Sequence, residues 1–292
     1  MDKIESLLEL LAREAYVADP AIATSLLLAT ELEKPLLIEG HAGVGKTEIA
    51  KVLAKVTQAE LIRLQCYEGL DASTALYEWN YPKQLLHIRL HEREGKSAAL
   101  SEAEIFGENF LLKRPLLQAI AHGGRPPVLL IDEIDRSDEE FEAFLLEVLS
   151  DFQVTVPELG TIKAKERPRV ILTSNRSREL SDALRRRCLY LWIDYPPFEK
   201  ELSIVRRKVP GASEMLAQQI VGMIQRVRKA KLSKVPGVSE TLDWAQALVS
   251  LHADHLSPAL VQETLGCFVK DESDLRKVRA ELESGRLPLG TV

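Results

Sequence analysis

One stretch constrains this chain more than any other: LLIEGHAGVGKTEIAKVLA, from Leu36 to Ala54. A short apolar run leads into Gly40, His41, Ala42, Gly43, Val44, Gly45, Lys46 and Thr47, and a helical pattern follows from Glu48. The octet fits the phosphate-loop template. Consecutive backbone N–H groups in such a loop point into one concavity at a helix N-terminus and make a nest for an anion. Gly43 and Gly45 permit the backbone angles and the close approach. Lys46 brings a point charge to the β- and γ-phosphates, and the Thr47 hydroxyl ligates Mg²⁺. The octet alone recurs by chance, but a buried strand before it and a helix after it are the context the mechanism needs. The expected ligand is a nucleotide, held by Gly40 to Thr47 with Glu48 in the first helical turn.

Two further strand ends carry matching chemistry. PVLLIDEID (127–135) places Asp132 at the carboxyl edge of a sheet, where open α/β sheets bind ligands. Asp132 is expected to hold the Mg²⁺ through water, and Glu133 to orient and deprotonate the attacking water. An acidic strand end is common in α/β proteins; beside a phosphate loop it acquires a role. VILTSNRSRELSDALRRRC (170–188) ends a second strand at Asn175, placed to sense a γ-phosphate. A triple arginine, Arg185 to Arg187, closes the short helix after it. Arg186 and Arg187 are the expected arginine fingers, inserted into a neighbouring molecule's site to stabilise transition-state charge. The competing reading is a solvated basic helix end favoured by the macrodipole.

The rest of the chain organises around these motifs. IESLLELLAREA and PAIATSLLLATELE read as helices, the second opened by Asp19-Pro20 in cap-then-proline order. Strands are expected at LLIE, LIRLQ (61–65), VLLID (128–132), VILTS (170–174) and LYLWI (189–193). Four of the five are nearly continuous apolar runs, as in a parallel sheet covered on both faces. Residues 66–114 show much charge and little strand signal, and 151–169 read as a hairpin with a Pro157–Gly160 turn. After the double proline at Pro196 only amphipathic helices are expected.

Composition bounds the partners. Over 292 residues, 46% apolar and 28% charged content describe an ordinary globular chain, and a net charge of −6 argues against non-specific nucleic-acid binding. No signal peptide is read at the start, and no apolar run approaches the roughly 18 residues of a membrane span. Cys66, Cys188 and Cys267 are scattered without paired spacing. A reducing, cytoplasmic protein is expected. His87 and His91 share a helical face but lack a third ligand, so they are not read as a metal site. Trp79, with Tyr77 and Tyr81, is either a gripping patch or packing of the 66–114 segment onto the core. Cys188 reads as a small buried hydrophobe.

Phosphate loop, Asp-Glu strand end, asparagine strand end, arginine cluster and helical tail, in that order, resemble an AAA+ ATPase. The wording of KPLLIEGHAGVGKTEIAKVLA, LLIDEIDRSDEEFEAFLLEVLSDFQVTVPELGTIKA and VILTSNRSRELSDALRRRCLYLWIDYPP resembles the MoxR family, particularly its CoxD-like members. The resemblance covers essentially the whole chain. It implies an α/β fold with a five-stranded parallel sheet of order 5-1-4-3-2 and helices on both faces. Residues 1–195 would form that core, with 66–114 as a helix-2-type insert and 151–169 as the pre-sensor-1 hairpin; 196–292 would form a helical lid. It further implies ATP and Mg²⁺ and a ring, commonly a hexamer, with ATP at subunit interfaces. The implied partners are a protein with a von Willebrand factor A domain and a metalloenzyme client of the carbon monoxide dehydrogenase type. Insert and hairpin would touch that client. One position departs from the pattern: in PGVSETLDWAQAL (236–248), Ser239, Glu240 and Thr241 stand where a sensor-2 arginine is common. A nucleic-acid motor or restriction-type NTPase of the same superfamily is the alternative. A DNA-tracking hairpin should carry bases at its tip, whereas VPELGT carries an acid, with Lys163 and Lys165 only on the return strand. A scaffold that binds without hydrolysing is disfavoured by Glu133.

Overall fold

The computed structural model describes residues 2–93 and 102–287; part of the charged 66–114 segment and the last residues of the chain lie outside them. Contacts divide the chain into two units. One comprises Ala21–Glu39 and Thr47–Leu191; the other comprises Met1–Pro20, Gly40–Lys46 and Trp192–Val292.

The first unit is built on the sheet. Nine strands run along the chain: Leu36–Gly40 (β1), Leu61–Gln65 (β2), Tyr77–Trp79 (β3), Leu111–Lys113 (β4), Val128–Asp132 (β5), Gln153–Val156 (β6), Gly160–Lys163 (β7), Arg169–Ser174 (β8) and Leu189–Ile193 (β9). Five of them form one sheet in the order β2-β5-β8-β1-β9. Counted along the chain, those five strands stand 5-1-4-3-2, as the resemblance implied. The registers are parallel: Leu61 lies opposite Val128, Leu129 opposite Val170, and Leu36 opposite Ile171. Parallel strands all end at one edge, which brings Glu39, Asp132 and Ser174 to the same side of the sheet.

Burial explains the apolar runs. β1 and β5 are buried at every position and β8 at all but its first residue, because helices cover both faces of the sheet's middle. The two edge strands alternate instead. β9 reads as a continuous apolar run in sequence, yet Tyr190 is 51% exposed, because aromatic rings satisfy an apolar count without being covered. The core beneath the sheet packs Leu37, Leu129, Ile131 and Leu172 against Leu117 and Leu145.

The charged segment after β2 holds more order than its sequence suggests. β3 and β4 pair antiparallel, Tyr77 opposite Lys113 and Trp79 opposite Leu111. Strands of three residues are too short to show a period-2 pattern, which is why sequence reading misses them. Trp79 is buried and meets Phe106 edge to face, with ring centroids 5.2 Å apart. Of the three aromatic residues in ALYEWNYP, Trp79 therefore belongs to packing, whereas Tyr81 is exposed. The helix Tyr81–Arg93 leaves Leu85, Leu86 and Leu90 at least half exposed. β6 and β7 form the expected hairpin, closed by a turn in which Gly160 takes φ +80° and Leu159 N–H donates to Val156 O at 3.0 Å.

In the second unit, no strand follows Ile193 among the described residues. Five α-helices do: Phe198–Lys208, Glu214–Lys229, Val238–Ser250, Pro258–Thr264 and Glu272–Glu283. Ser213, Ser257 and Asp271 cap three of them by accepting backbone amides. Their common core centres on Trp244, which is fully buried against Phe268 and donates from Nε1 to Thr264 Oγ1 at 2.9 Å. The same core holds one buried ion pair, Arg228 with Glu201. Glu201 also accepts from Gln225 and Thr241, so its charge is compensated on several sides.

Candidate functional site

In the unit that holds the phosphate loop, Gly43 and Gly45 take φ +74° and +94°, the left-handed region that favours glycine. Lys46 opens the helix Lys46–Val56 and is buried; its Nζ donates to Gly40 O at 2.8 Å and to His41 O at 2.7 Å. Gly40 is required sterically as well, because a Cβ there would lie 2.1 Å from Ile193 O. The His41 ring stacks on Tyr195 at 4.4 Å, meets Trp192 edge to face, and has Nε2 3.6 Å from Asp194 Oδ1. Arg228 lies over the Tyr195 ring at 4.8 Å.

Where the sequence lacks a sensor-2 arginine, the structure places a helix N-terminus. The backbone amides of Val238 and Ser239 both donate to Gly43 O, at 2.8 and 3.1 Å. Glu240 turns back to accept from Gly237 N at 2.8 Å, which leaves its carboxylate beside Gly43. Tyr195 and Arg228 carry no motif signal in the sequence. Their placement follows from the folding of the helices around them.

The acidic side of the machinery belongs to the sheet unit. Asp132 is only 2% exposed and stands in a cage of donors. Its Oδ1 accepts from Thr47 Oγ1 at 3.0 Å and from Thr173 Oγ1 at 2.5 Å, while Oδ2 takes Arg63 Nε and Nη2 at 3.0 and 2.6 Å. Thr47 and Asp132 are 85 positions apart in sequence, so the parallel sheet and not local spacing brings them together. Arg63 and Thr173 were not expected from sequence. The basic residue inside LIRLQ is the only trace that β2 would turn a charge toward this edge.

Glu133 follows at φ +56° and ψ +49°, the left-handed region that costs a non-glycine residue about 1 kcal/mol or more. The strain turns the chain at the sheet edge, and Thr173 Oγ1 accepts the Glu133 amide at 3.0 Å. The carboxylate spreads across the neighbouring strand ends. Oε1 accepts from Asn175 Nδ2 at 3.2 Å, and Oε2 takes Gln65 Nε2 at 3.1 Å and Arg136 Nε at 3.0 Å. The expected base and the expected sensor thus touch. Behind them Asp135 is buried, which pushes its carboxyl up. The hydroxyl and amide of Ser177 and the amide of Asn175 outweigh that effect, and the net shift is downward. Two thiols are inert by the same logic of burial: Cys66, also facing Asp132, Asp135 and Glu133, and Cys188 are both pushed up to about 12.

The triple arginine splits. Arg185 is engaged, with Nη2 3.1 Å from the buried Glu39 Oε2. Arg186 and Arg187 are exposed and make no hydrogen bond or ion pair among the described residues.

With this geometry in place, the comparisons decide the family. The AAA domain (dynein-related subfamily) matches residues 35–188, the stretch from the residue before β1 to the end of the arginine helix. The chain belongs to this family. Uncharacterized proteins of Staphylococcus epidermidis and Staphylococcus aureus are each 25% identical to it over 228 residues, covering 76% of this chain and 78% of theirs. Among solved structures, a single-residue variant of RuvB from Thermotoga maritima superposes with a TM-score of 0.52 at 18% identity, covering 97% of this chain and 78% of that one. That likeness concerns the fold, an AAA+ core. It shows the fold alone and assigns no substrate.

Proposed function

We propose that this AAA+ protein hydrolyses ATP and uses the cycle to remodel a client protein, in the manner of the MoxR family and its CoxD-like branch. The observation that carries the hydrolytic reading is the contact between Glu133 and Asn175 beside the Thr47–Asp132 pair. Backbone amides of Gly43 to Thr47 receive the phosphates, and Lys46, next to Thr47 in the chain, supplies the positive charge. A buried carboxylate and a hydroxyl oxygen within hydrogen-bond distance are a hard donor set that suits Mg²⁺ with retained waters. The metal would contribute charge neutralisation on the phosphate oxygens. Glu133 takes the proton of the attacking water, and Asn175 holds both the carboxylate and the water in line.

Arg186 and Arg187, exposed and without a partner among the described residues, are assigned to the site of the next subunit in a ring, commonly a hexamer. The exposed apolar face of the helix Tyr81–Arg93 is assigned to an apolar segment of the client. The client class taken from the resemblance is a metalloenzyme of the carbon monoxide dehydrogenase type, with a von Willebrand factor A domain protein as adaptor, in the cytoplasm. No helix of the described residues is long and apolar enough to cross a membrane, which is compatible with that assignment.

The test is a trap. Glu133→Gln should keep ATP affinity within about twofold while turnover falls by about 10²- to 10⁴-fold, the range for loss of a general base. Unchanged turnover would remove Glu133 from that role. Captured from its native cells in ATP and Mg²⁺, the variant should retain a von Willebrand factor A partner and a metalloenzyme subunit. Retention of nucleic acid or a nuclease would overturn the client assignment in favour of a nucleic-acid motor.

A further inference from the structure

The machinery described above leaves one buried charge unused. Glu39 is the last residue before the phosphate loop's Gly40 and is 2% exposed. Its Oε2 gathers three partners: Arg185 Nη2 at 3.1 Å, the Tyr190 hydroxyl at 3.0 Å and Arg176 Nε at 3.7 Å. Arg185 also lies over the Tyr190 ring at 5.9 Å. Partial loss of water around its hydroxyl end, together with the hydrogen bond to Glu39, holds the otherwise exposed Tyr190 phenol above its usual range. A carboxylate this buried is strongly destabilising unless it is paired, so Glu39 must keep some of these three partners in every state of the fold.

What the three partners are attached to gives the cluster its meaning. Arg176 follows Asn175 directly and takes φ +59°, so its backbone forms the turn that presents the sensor. Arg185 sits in the helix Asp182–Arg187, immediately before Arg186 and Arg187. The far end of that helix is held separately, by the Ser181 amide donating to the buried Glu142 Oε2 at 2.9 Å. The helix therefore has an anchored N-terminus, a middle held in the core by Leu184, and a C-terminal half in which Arg185 ties to the carboxylate at the start of the phosphate loop.

We propose that Glu39 is a positioning hub and that Arg185 is its lever, so that the loop's own nucleotide sets the presentation of Arg186 and Arg187 to the neighbouring site. The inference rests on the ATPase reading and deepens it: Arg185, which is not one of the expected fingers, is given a regulatory role. Glu39 touches no reacting atom and acts through Arg176 and Arg185. The chemistry at its own site still belongs to Glu133, Asp132 and Asn175.

The experiment compares Glu39→Gln, Arg185→Ala and Arg185→Lys in the full chain, measuring nucleotide affinity with a fluorescent ATP analogue, kcat and thermal stability. Glu39→Gln and Arg185→Ala should each leave affinity within about twofold and lower kcat about tenfold, within the usual range of coupling between sites. The double variant should be no worse than either single one, because both break the same linkage. Arg185→Lys should recover part of the loss. A fall in melting temperature with kcat unchanged per folded molecule would make the cluster merely structural and overturn the proposal. Additive losses would overturn it too. If Glu39→Gln does not fold, Arg185→Ala decides alone, since Arg176 and Tyr190 still satisfy the carboxylate in that variant. A wild-type chain without ATP turnover would defeat the ATPase reading itself. Turnover abolished by Glu133→Gln but untouched by Glu39→Gln and Arg185→Ala would defeat only the hub.

Discussion

Asp132 and Glu39 invite comparison. Each stands at the carboxyl end of a strand of the same sheet, each is 2% exposed, and each is held by donors from distant parts of the chain. Asp132 is surrounded by two hydroxyls and one half-exposed guanidinium, groups that a hydrated cation can displace or share. Glu39 is surrounded by two guanidiniums and a phenol, partners about as exposed as Arg63, so formal positive charge rather than hydroxyls satisfies it. On the ATPase reading proposed above, the same residue chemistry at the same kind of position serves a cation where hydroxyls surround it and the scaffold where guanidiniums do. What decides is the partner set, and the partner set is tertiary.

That difference can be broken or sharpened by mutation. The largest expected effect is at the carboxylate among hydroxyls. Asp132→Asn should reduce Mg²⁺-dependent turnover by about 10²-fold, corresponding to about 3 kcal/mol of lost stabilisation of the transferring group. The carboxylate among guanidiniums should lose only about tenfold in Glu39→Gln, and equal losses in a steady-state ATPase assay would erase the distinction. Next comes Thr173→Val, which removes a donor to Asp132 and the acceptor of the Glu133 amide. It should destabilise the fold by about 1–3 kcal/mol in urea unfolding, the cost of buried polar groups left unpaired. Thr173→Ser should restore most of it, and no loss in Thr173→Val would mean that water replaces the hydroxyl.

Arg63→Ala should matter less. Its side chain is 49% exposed, so solvent screens the pair and the stability change should stay below about 1 kcal/mol in the same assay. A larger change would place Asp132 in the same charge-satisfied class as Glu39. The smallest effect is one of pH. Asp135 titrates below its unfolded value, which is about 3.9, so its contribution to stability is complete above that pH and is lost as pH falls through the lower native value. Asp135→Asn should therefore lower stability at neutral pH and flatten the acid limb of unfolding free energy measured from pH 6 downward. An acid limb as steep as in the wild type would assign the dependence to other carboxylates.

Legibility followed the range of the interactions. The phosphate loop was readable because its constraints are local: Gly43 and Gly45 for positive φ, Lys46 and Thr47 at fixed offsets, and a helix behind them. Asp132 and Asn175 were readable because a parallel sheet brings the ends of its strands to one edge, so a polar residue closing an apolar run has a predictable place. The 151–169 hairpin announced itself through Pro157 and Gly160. β3 and β4 did not, because three residues cannot display a period, and β9 concealed its exposed Tyr190 and Trp192 inside an apolar count.

The sequence by itself determined the loop, the acidic strand end and the change to helices after Pro196, since each rests on residue type and spacing along the chain; the strand order came only through the family resemblance. Only the tertiary structure decided that Arg185 belongs to Glu39 while Arg186 and Arg187 have no partner among the described residues. It also decided that Asp132 is shared by Thr47, Thr173 and Arg63, and that the first-turn amides of the helix Val238–Ser250 bond the Gly43 carbonyl. The physical reason is the same in each case. A buried charge or carbonyl must be satisfied by whatever donors the packing delivers, and those donors lie tens to hundreds of residues away, where no local pattern records them.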